Sequence, residues 1–73
     1  MNLQIITPTG IRYQGAVQRL QFRSHEGLME ILDNHAPLIA EVKAGTLTTD
    51  QGDFDCGGGL VKVKDNEVKV ICE

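Results

Sequence analysis

Gly27-Leu28-Met29-Glu30-Ile31-Leu32-Asp33-Asn34-His35-Ala36-Pro37-Leu38 is the stretch whose reading decides the fold. A short apolar run at Leu28, Met29, Ile31 and Leu32 passes directly into Asp33-Asn34, where short polar side chains favour a turn and Asn tolerates a left-handed backbone. Pro37 then fixes its own φ and pushes Ala36 into an extended conformation, so Leu38 to Lys43 leaves the corner already stretched. This predicts a strand, a tight corner and a second strand, with His35 at the tip of the corner. Leu38, Ala40 and Val42 alternate with Glu41 and Lys43, so Leu38 is expected to be buried.

Alternation of the same kind extends in both directions. Upstream, Leu3 and Ile5 flank Gln4, Thr7-Pro8-Thr9-Gly10 is a turn, and Ile11 and Tyr13 alternate with Arg12 and Gln14 up to Gly15. A further run from Ala16 to Ser24 sets Leu20 and Phe22 opposite Arg19, Gln21 and Arg23. Val17 is out of phase with Leu20, which calls for a bulge near Gln18 or a strand covered on both faces. Downstream, Thr46 to Thr49 and Asp53 to Cys56 flank the turn Asp50-Gln51-Gly52. Gly57-Gly58-Gly59 marks a bulge or a close backbone approach. Val61 and Val63, then Val68, Val70 and Cys72, form a last hairpin about Asp65-Asn66. Eight to ten short strands with no helical period predict an all-β, flattened antiparallel sandwich or barrel, one domain spanning residues 1–73.

The totals narrow the function. Hydrophobic residues are 41% and charged ones 23% of a 73-residue chain, an ordinary globular balance with no apolar run long enough to span a bilayer. Direct membrane insertion is therefore not expected, and the start lacks a secretory leader, which reads as intracellular. A net charge of −3 and scattered cations without interleaved aromatics argue against nucleic acid. His25, His35, Cys56 and Cys72 lack zinc-knuckle spacing, and Asp50, Asp53 and Asp55 lack the glycine and distal Glu of a calcium loop, so no metal is expected. No phosphate loop opens a helix and no base is placed beside a cysteine, so neither a cofactor nor a catalytic residue is expected. Cys56 and Cys72 are expected to be two strand thiols, although a disulfide between them is open. The corner displays Glu26, Leu28, Met29, Glu30, Asn34 and His35, a mixture suited to docking, with a core role for Leu28 and Met29 as the other possibility.

Thr7-Pro8-x-Gly10, Tyr13-x-Gly15-x-Val17, Gly27-x-x-x-Ile31-Leu32-x-x-His35-Ala36-Pro37-Leu38, Gly45-x-Leu47 and Gly58-Gly59-x-x-x-Val63-x-x-Asn66-x-Val68-x-Val70 together resemble the N-terminal domain of the rotary (F-type) ATP synthase epsilon subunit. The resemblance covers essentially the whole chain. It implies a non-catalytic β-sandwich in the rotor stalk that docks the gamma subunit onto the membrane c-ring, at the cytoplasmic face of the bacterial inner membrane. It implies a c-ring-facing edge of Glu26, Leu28, Met29, Glu30, Asn34 and His35, and a gamma-facing set of Thr7, Pro8, His35, Ala36 and Ala40.

Three positions depart from the family's usual pattern: Leu28 stands where an acidic residue is common, and Glu30 and Asn34 stand where glycine is. Many members continue into a two-helix hairpin that inhibits hydrolysis. The sequence stops at Glu73, so that brake and its C-terminal helical hairpin are not expected here. A free-standing β-sandwich protein-binding module and a small Cys/His enzyme are the rival readings.

Overall fold

The computed structural model describes all residues 1–73. Nine strands form where apolar and β-branched residues alternate with polar ones: β1 (Asn2–Thr7), β2 (Gly10–Ala16), β3 (Arg19–Ser24), β4 (Gly27–Leu32), β5 (Leu38–Val42), β6 (Gly45–Thr49), β7 (Gly52–Cys56), β8 (Gly59–Lys64) and β9 (Glu67–Cys72). They make two stacked sheets. The first, sheet A, has the order β2-β1-β9-β8-β5, and the second, sheet B, has the order β4-β3-β6-β7. The all-β sandwich expected from the alternation is the observed architecture.

Its pairings are antiparallel with one exception: β1 runs parallel to β9, Leu3 beside Val68 and Ile5 beside Val70. The chain changes sheet four times, through Val17-Gln18, Asp33 to Pro37, Lys43-Ala44 and Gly57-Gly58. This corrects the reading of Ala16 to Ser24 as one run. Val17 is out of phase with Leu20 because it lies in a crossing, its N–H donating to the Met1 carbonyl at 2.9 Å. The only register shift in the strand ladders falls between Ile5 and Ile6 of β1. The corner is likewise a change of sheet, from β4 to β5, and Asn34 takes the left-handed backbone expected of it, with φ of 62°. Asp33 pairs with the amino group of Met1.

Leu3, Ile5, Leu20, Phe22, Ile31, Leu47, Val61 and Val70 are buried between the sheets. Leu38, expected to be buried, is half-buried and packs at the margin of this core, because β5 is an outer strand. Cys56 and Cys72 are joined as a disulfide, which corrects the expectation of two separate thiols. The pairing joins β7 of one sheet to β9 of the other, and only the stacking of the sheets brings those residues together. At Gly59 an added Cβ would lie 1.8 Å from the carbonyl oxygen of Ile71. An added Cβ at Gly57 would lie 2.7 Å from the Glu73 carbonyl oxygen, so the close approach expected of the glycine run occurs at its first residue and, most tightly, at its third. Asp65 and Asn66 both have positive φ, 52° and 61°, as the tight turn between β8 and β9 requires.

Asp50, at the tip of the β6–β7 hairpin, accepts the Gln18 and Arg19 N–H groups at 2.8 and 3.2 Å and so fixes the first crossing. The Gln18 bond, more than the Arg19 one, holds its carboxyl below the ordinary 3.8. A carboxyl depressed in the folded chain adds stability above its unfolded pKa and loses it as pH falls through the folded value. Asp50→Asn is therefore expected to lower the urea midpoint at neutral pH, with the gap to the parent closing below about pH 4. Urea titrations at both pH values check this, and a gap that does not change with pH would show that the charge plays no part.

Candidate functional site

One side of the sandwich is closed and the other is open. On the closed side Tyr13 of β2 meets Phe54 of β7, with ring centroids 5.0 Å apart. On the open side lie β4 and β5, the free edge strands of the two sheets, which the Asp33 to Pro37 corner joins. A groove runs between them, floored by half-buried Met29, Leu38 and Ala40 beside buried Ser24. His25 and Glu41 pair across it at 2.8 Å and link the two sheets. The stretch Gly27 to Leu38 therefore builds one edge of this groove and begins the other.

Residues of the expected ring-facing set run the length of β4 rather than gathering at the corner. Glu26 is exposed in the turn before the strand, whereas Asn34 and His35 lie beyond its far end. Between them the side chains alternate. Leu28, 64% exposed, and Glu30 point away from the core, and Glu30 accepts a hydrogen bond from the Gln21 amide at 2.7 Å. Met29 points inward, opposite Phe22. The Asn34 N–H donates to the Asn66 side chain at 2.8 Å, tying the corner to the β8–β9 turn. His35 is half-buried, and its Nδ1 donates to the adjacent Ala36 carbonyl at 2.7 Å.

The expected gamma-facing set is divided. Thr7 and Pro8 lie at the β1–β2 turn, where the Thr7 hydroxyl donates to the Gly10 carbonyl at 3.1 Å. The strand registers place that turn at the Cys72 end of the sandwich, while His35 and Ala36 lie at the opposite end beside the β8–β9 turn. Ala40, on β5, faces the groove.

A second surface was not singled out from the sequence. Ile11, Ile6, Ile71 and Leu60 stand side by side in register across β2, β1, β9 and β8 on the outer face of sheet A. Ile11, Ile71 and Leu60 are each at least half exposed, at 58%, 50% and 51%. Beside them lies a polar row, in which Gln4, Lys69 and Lys62 are aligned. The outer face of sheet B is more polar, with Arg19, Gln21, Arg23, Thr46, Thr48 and Asp53, and its exposed apolar side chains, Leu28 and Leu32, stand on the edge strand β4 beside Arg23 and Arg19. The signal for the apolar row was present as the consecutive pairs Ile5-Ile6, Leu60-Val61 and Val70-Ile71, which make a strand apolar on both faces. These surfaces have the chemistry of recognition: apolar strips rimmed by charge and amide groups. Nowhere do three His, Cys, Asp or Glu side chains converge in a way that could hold a metal.

The sequence profile of the ATP synthase delta/epsilon chain β-sandwich domain matches residues 1–73. The ATP synthase epsilon chain of Leptospira borgpetersenii serovar Hardjo-bovis is 36% identical over 77 residues, covering 100% of this chain and 61% of its own. That of Clostridium novyi is 34% identical over 76 residues, covering 97% of this chain and 58% of its own. The chain thus spans about three fifths of the length of these curated relatives. Among solved structures, a chain of the Tetrahymena thermophila mitochondrial ATP synthase central stalk and c-ring superposes with a TM-score of 0.85 at 21% identity, over 99% of this chain and 62% of that one. A chain from the Euglena gracilis mitochondrial ATP synthase gives the same TM-score at 22% identity, over 96% and 48%. The solved structures share its fold, and the whole-length profile match assigns the chain to the ATP synthase delta/epsilon chain β-sandwich domain family.

Proposed function

We propose that this domain is a non-catalytic part of the central stalk of an ion-translocating ATP synthase, binding the gamma subunit and seating it on the loops of the c-ring. The observation that carries this reading is the alignment of the whole chain with epsilon chains at 34–36% identity. The edge formed by Glu26, Leu28, Met29, Glu30, Asn34 and His35 is assigned to the ring. Thr7, Pro8, His35, Ala36 and Ala40 are assigned to gamma. In a bacterial cell this places the domain peripherally at the cytoplasmic face of the inner membrane. No helix of the structure is long and apolar enough to cross a membrane.

The test is rebinding to membranes that retain gamma and the c-ring but have been stripped of their own epsilon chain. The parent is expected to co-sediment. His35→Ala is expected to stay folded, since its ring Nδ1 reaches only the neighbouring Ala36 carbonyl. It is expected to bind about tenfold more weakly, the loss typical of an interface side chain contributing somewhat over 1 kcal/mol. Absence of parental binding would refute the stalk assignment, and unfolding of His35→Ala would make His35 a structural residue.

A further inference from the structure

The β6–β7 hairpin is held unevenly. At its Thr49 end β6 pairs with β3 through Leu20 with Thr49 and Gln21 with Thr48, and Asp50 accepts the Gln18 and Arg19 N–H groups. Toward Gly45 no pairing joins the two strands. They part around a cleft lined by Gln21, Arg23, Lys43, Gly45 and Thr46, and the Arg23 carbonyl accepts the N–H of Lys43 at 2.8 Å instead. The Gly45 end of β6 pairs only with the Cys56 end of β7, itself an edge strand. On both sides of the hairpin the chain crosses between sheets in two residues, Lys43-Ala44 and Gly57-Gly58. Three ties join this loosely laddered end to sheet A: the two short crossings themselves, the Glu73 N–H donated to the Gly58 carbonyl at 2.7 Å, and the disulfide from Cys56 to Cys72 of β9, the one that chemistry can open.

We propose that Cys56 and Cys72 form a reversible redox site, and that its reduction by a dithiol loosens the Gly45 and Cys56 end of the β6–β7 hairpin against sheet A. One thiolate of the dithiol attacks either sulfur, forming a mixed disulfide and releasing the other cysteine as a thiol. The second thiol of the reductant then displaces the remaining cysteine. Two electrons and two protons pass to Cys56 and Cys72, and the reductant leaves as its own disulfide. A small-molecule disulfide runs the same steps in reverse.

Closure is built into the fold. The two Cα atoms lie 5.4 Å apart, inside the range a disulfide needs, and Leu47, Val61 and Val70 pack the same two sheets together without the bond. The reduced thiols therefore stay within reach of each other. Burial of both side chains, 5% and 4% exposed, limits attack on the closed form to reductants that catch the hairpin end as it opens.

The experiment is amide hydrogen exchange on the oxidised chain, on the chain reduced with dithiothreitol, on the same sample reoxidised with glutathione disulfide, and on the double variant Cys56→Ser and Cys72→Ser. Reduction is expected to speed exchange about tenfold or more in Gly45 to Leu47 and Phe54 to Cys56, leaving β1 and β8 within about twofold, with full reversal on reoxidation. The double variant should exchange like the reduced chain and ignore dithiothreitol. Unchanged exchange on reduction, equal acceleration in every strand, or a bond that resists excess dithiothreitol in the folded chain would each overturn the proposal. The reduced parent chain carries these readings even where the double variant fails to fold.

Discussion

Gly59→Ala is expected to abolish the native fold. The new methyl group would lie 1.8 Å from the Ile71 carbonyl oxygen and 3.2 Å from the Cys72 Cα. Both are backbone atoms of β9, the central strand of sheet A, and neither can turn aside as the end of a side chain can. Relief requires β8 to move off β9, which also breaks the pairing of Gly59 with Cys72 and of Leu60 with Ile71. A domain of this length has about 7 kcal/mol of stability to lose at roughly 0.1 kcal/mol per residue. A cost of about 4 kcal/mol or more would leave little of it. Far-UV circular dichroism and urea titration read the outcome, and a midpoint like the parent's would mean that the two strands are not as close as described.

Phe22→Ala is expected to cost about 3–5 kcal/mol, the range for emptying an aromatic site in a packed core. Phe22 is 1% exposed, the largest of the fully buried side chains, and lies on β3 opposite Met29. Leu38→Ala should cost clearly less, about 1–2 kcal/mol, because half-buried Leu38 already gives part of its surface to water at the groove. Chemical denaturation of the two variants side by side tests the ordering. Equal losses would mean that the groove between β4 and β5 is closed in solution.

Phe22 and Leu38 also mark what alternation conveys and where it stops. The period of two placed Leu20, Phe22, Val61, Val63, Val68 and Val70 on inward faces, and the structure buries all of them. Turn chemistry was equally readable, since Asn34, Asp65 and Asn66 take the positive φ their side chains tolerate. What alternation omits is the sheet to which a strand belongs. In a sandwich the inner faces of both sheets point into one core, so a chain that leaves one sheet for the other keeps much the same pattern. The slip in phase at Val17 is a local sign of a crossing, but a bulge within a single strand leaves the same slip. The Cys56–Cys72 pairing and the groove between β4 and β5 depend on how the sheets stack, a relation with no sequence period. At the edge the sequence left Leu28 and Met29 open between display and core, and the structure divides them, Leu28 outward and Met29 inward; the apolar row of Ile6, Ile71 and Leu60 required the register of three strands.

The parallel pairing of β1 with β9 sets the order in which the chain can become a protein. During synthesis β1 and β2 emerge first, and β8 waits for the strand that belongs between it and β1. Sheet A has a vacant central place until residues 67–72 leave the ribosome. Asn2 and Glu67, neighbours in the finished sheet, are separated by nearly the whole chain. Such non-local pairing raises contact order and slows folding toward the millisecond-to-second range of all-β domains. The nascent chain exposes the unpaired edges of β1 and β8 throughout that wait. Completion of sheet A is therefore late and nearly all-or-none, and until then those edges are open to pairing with other chains.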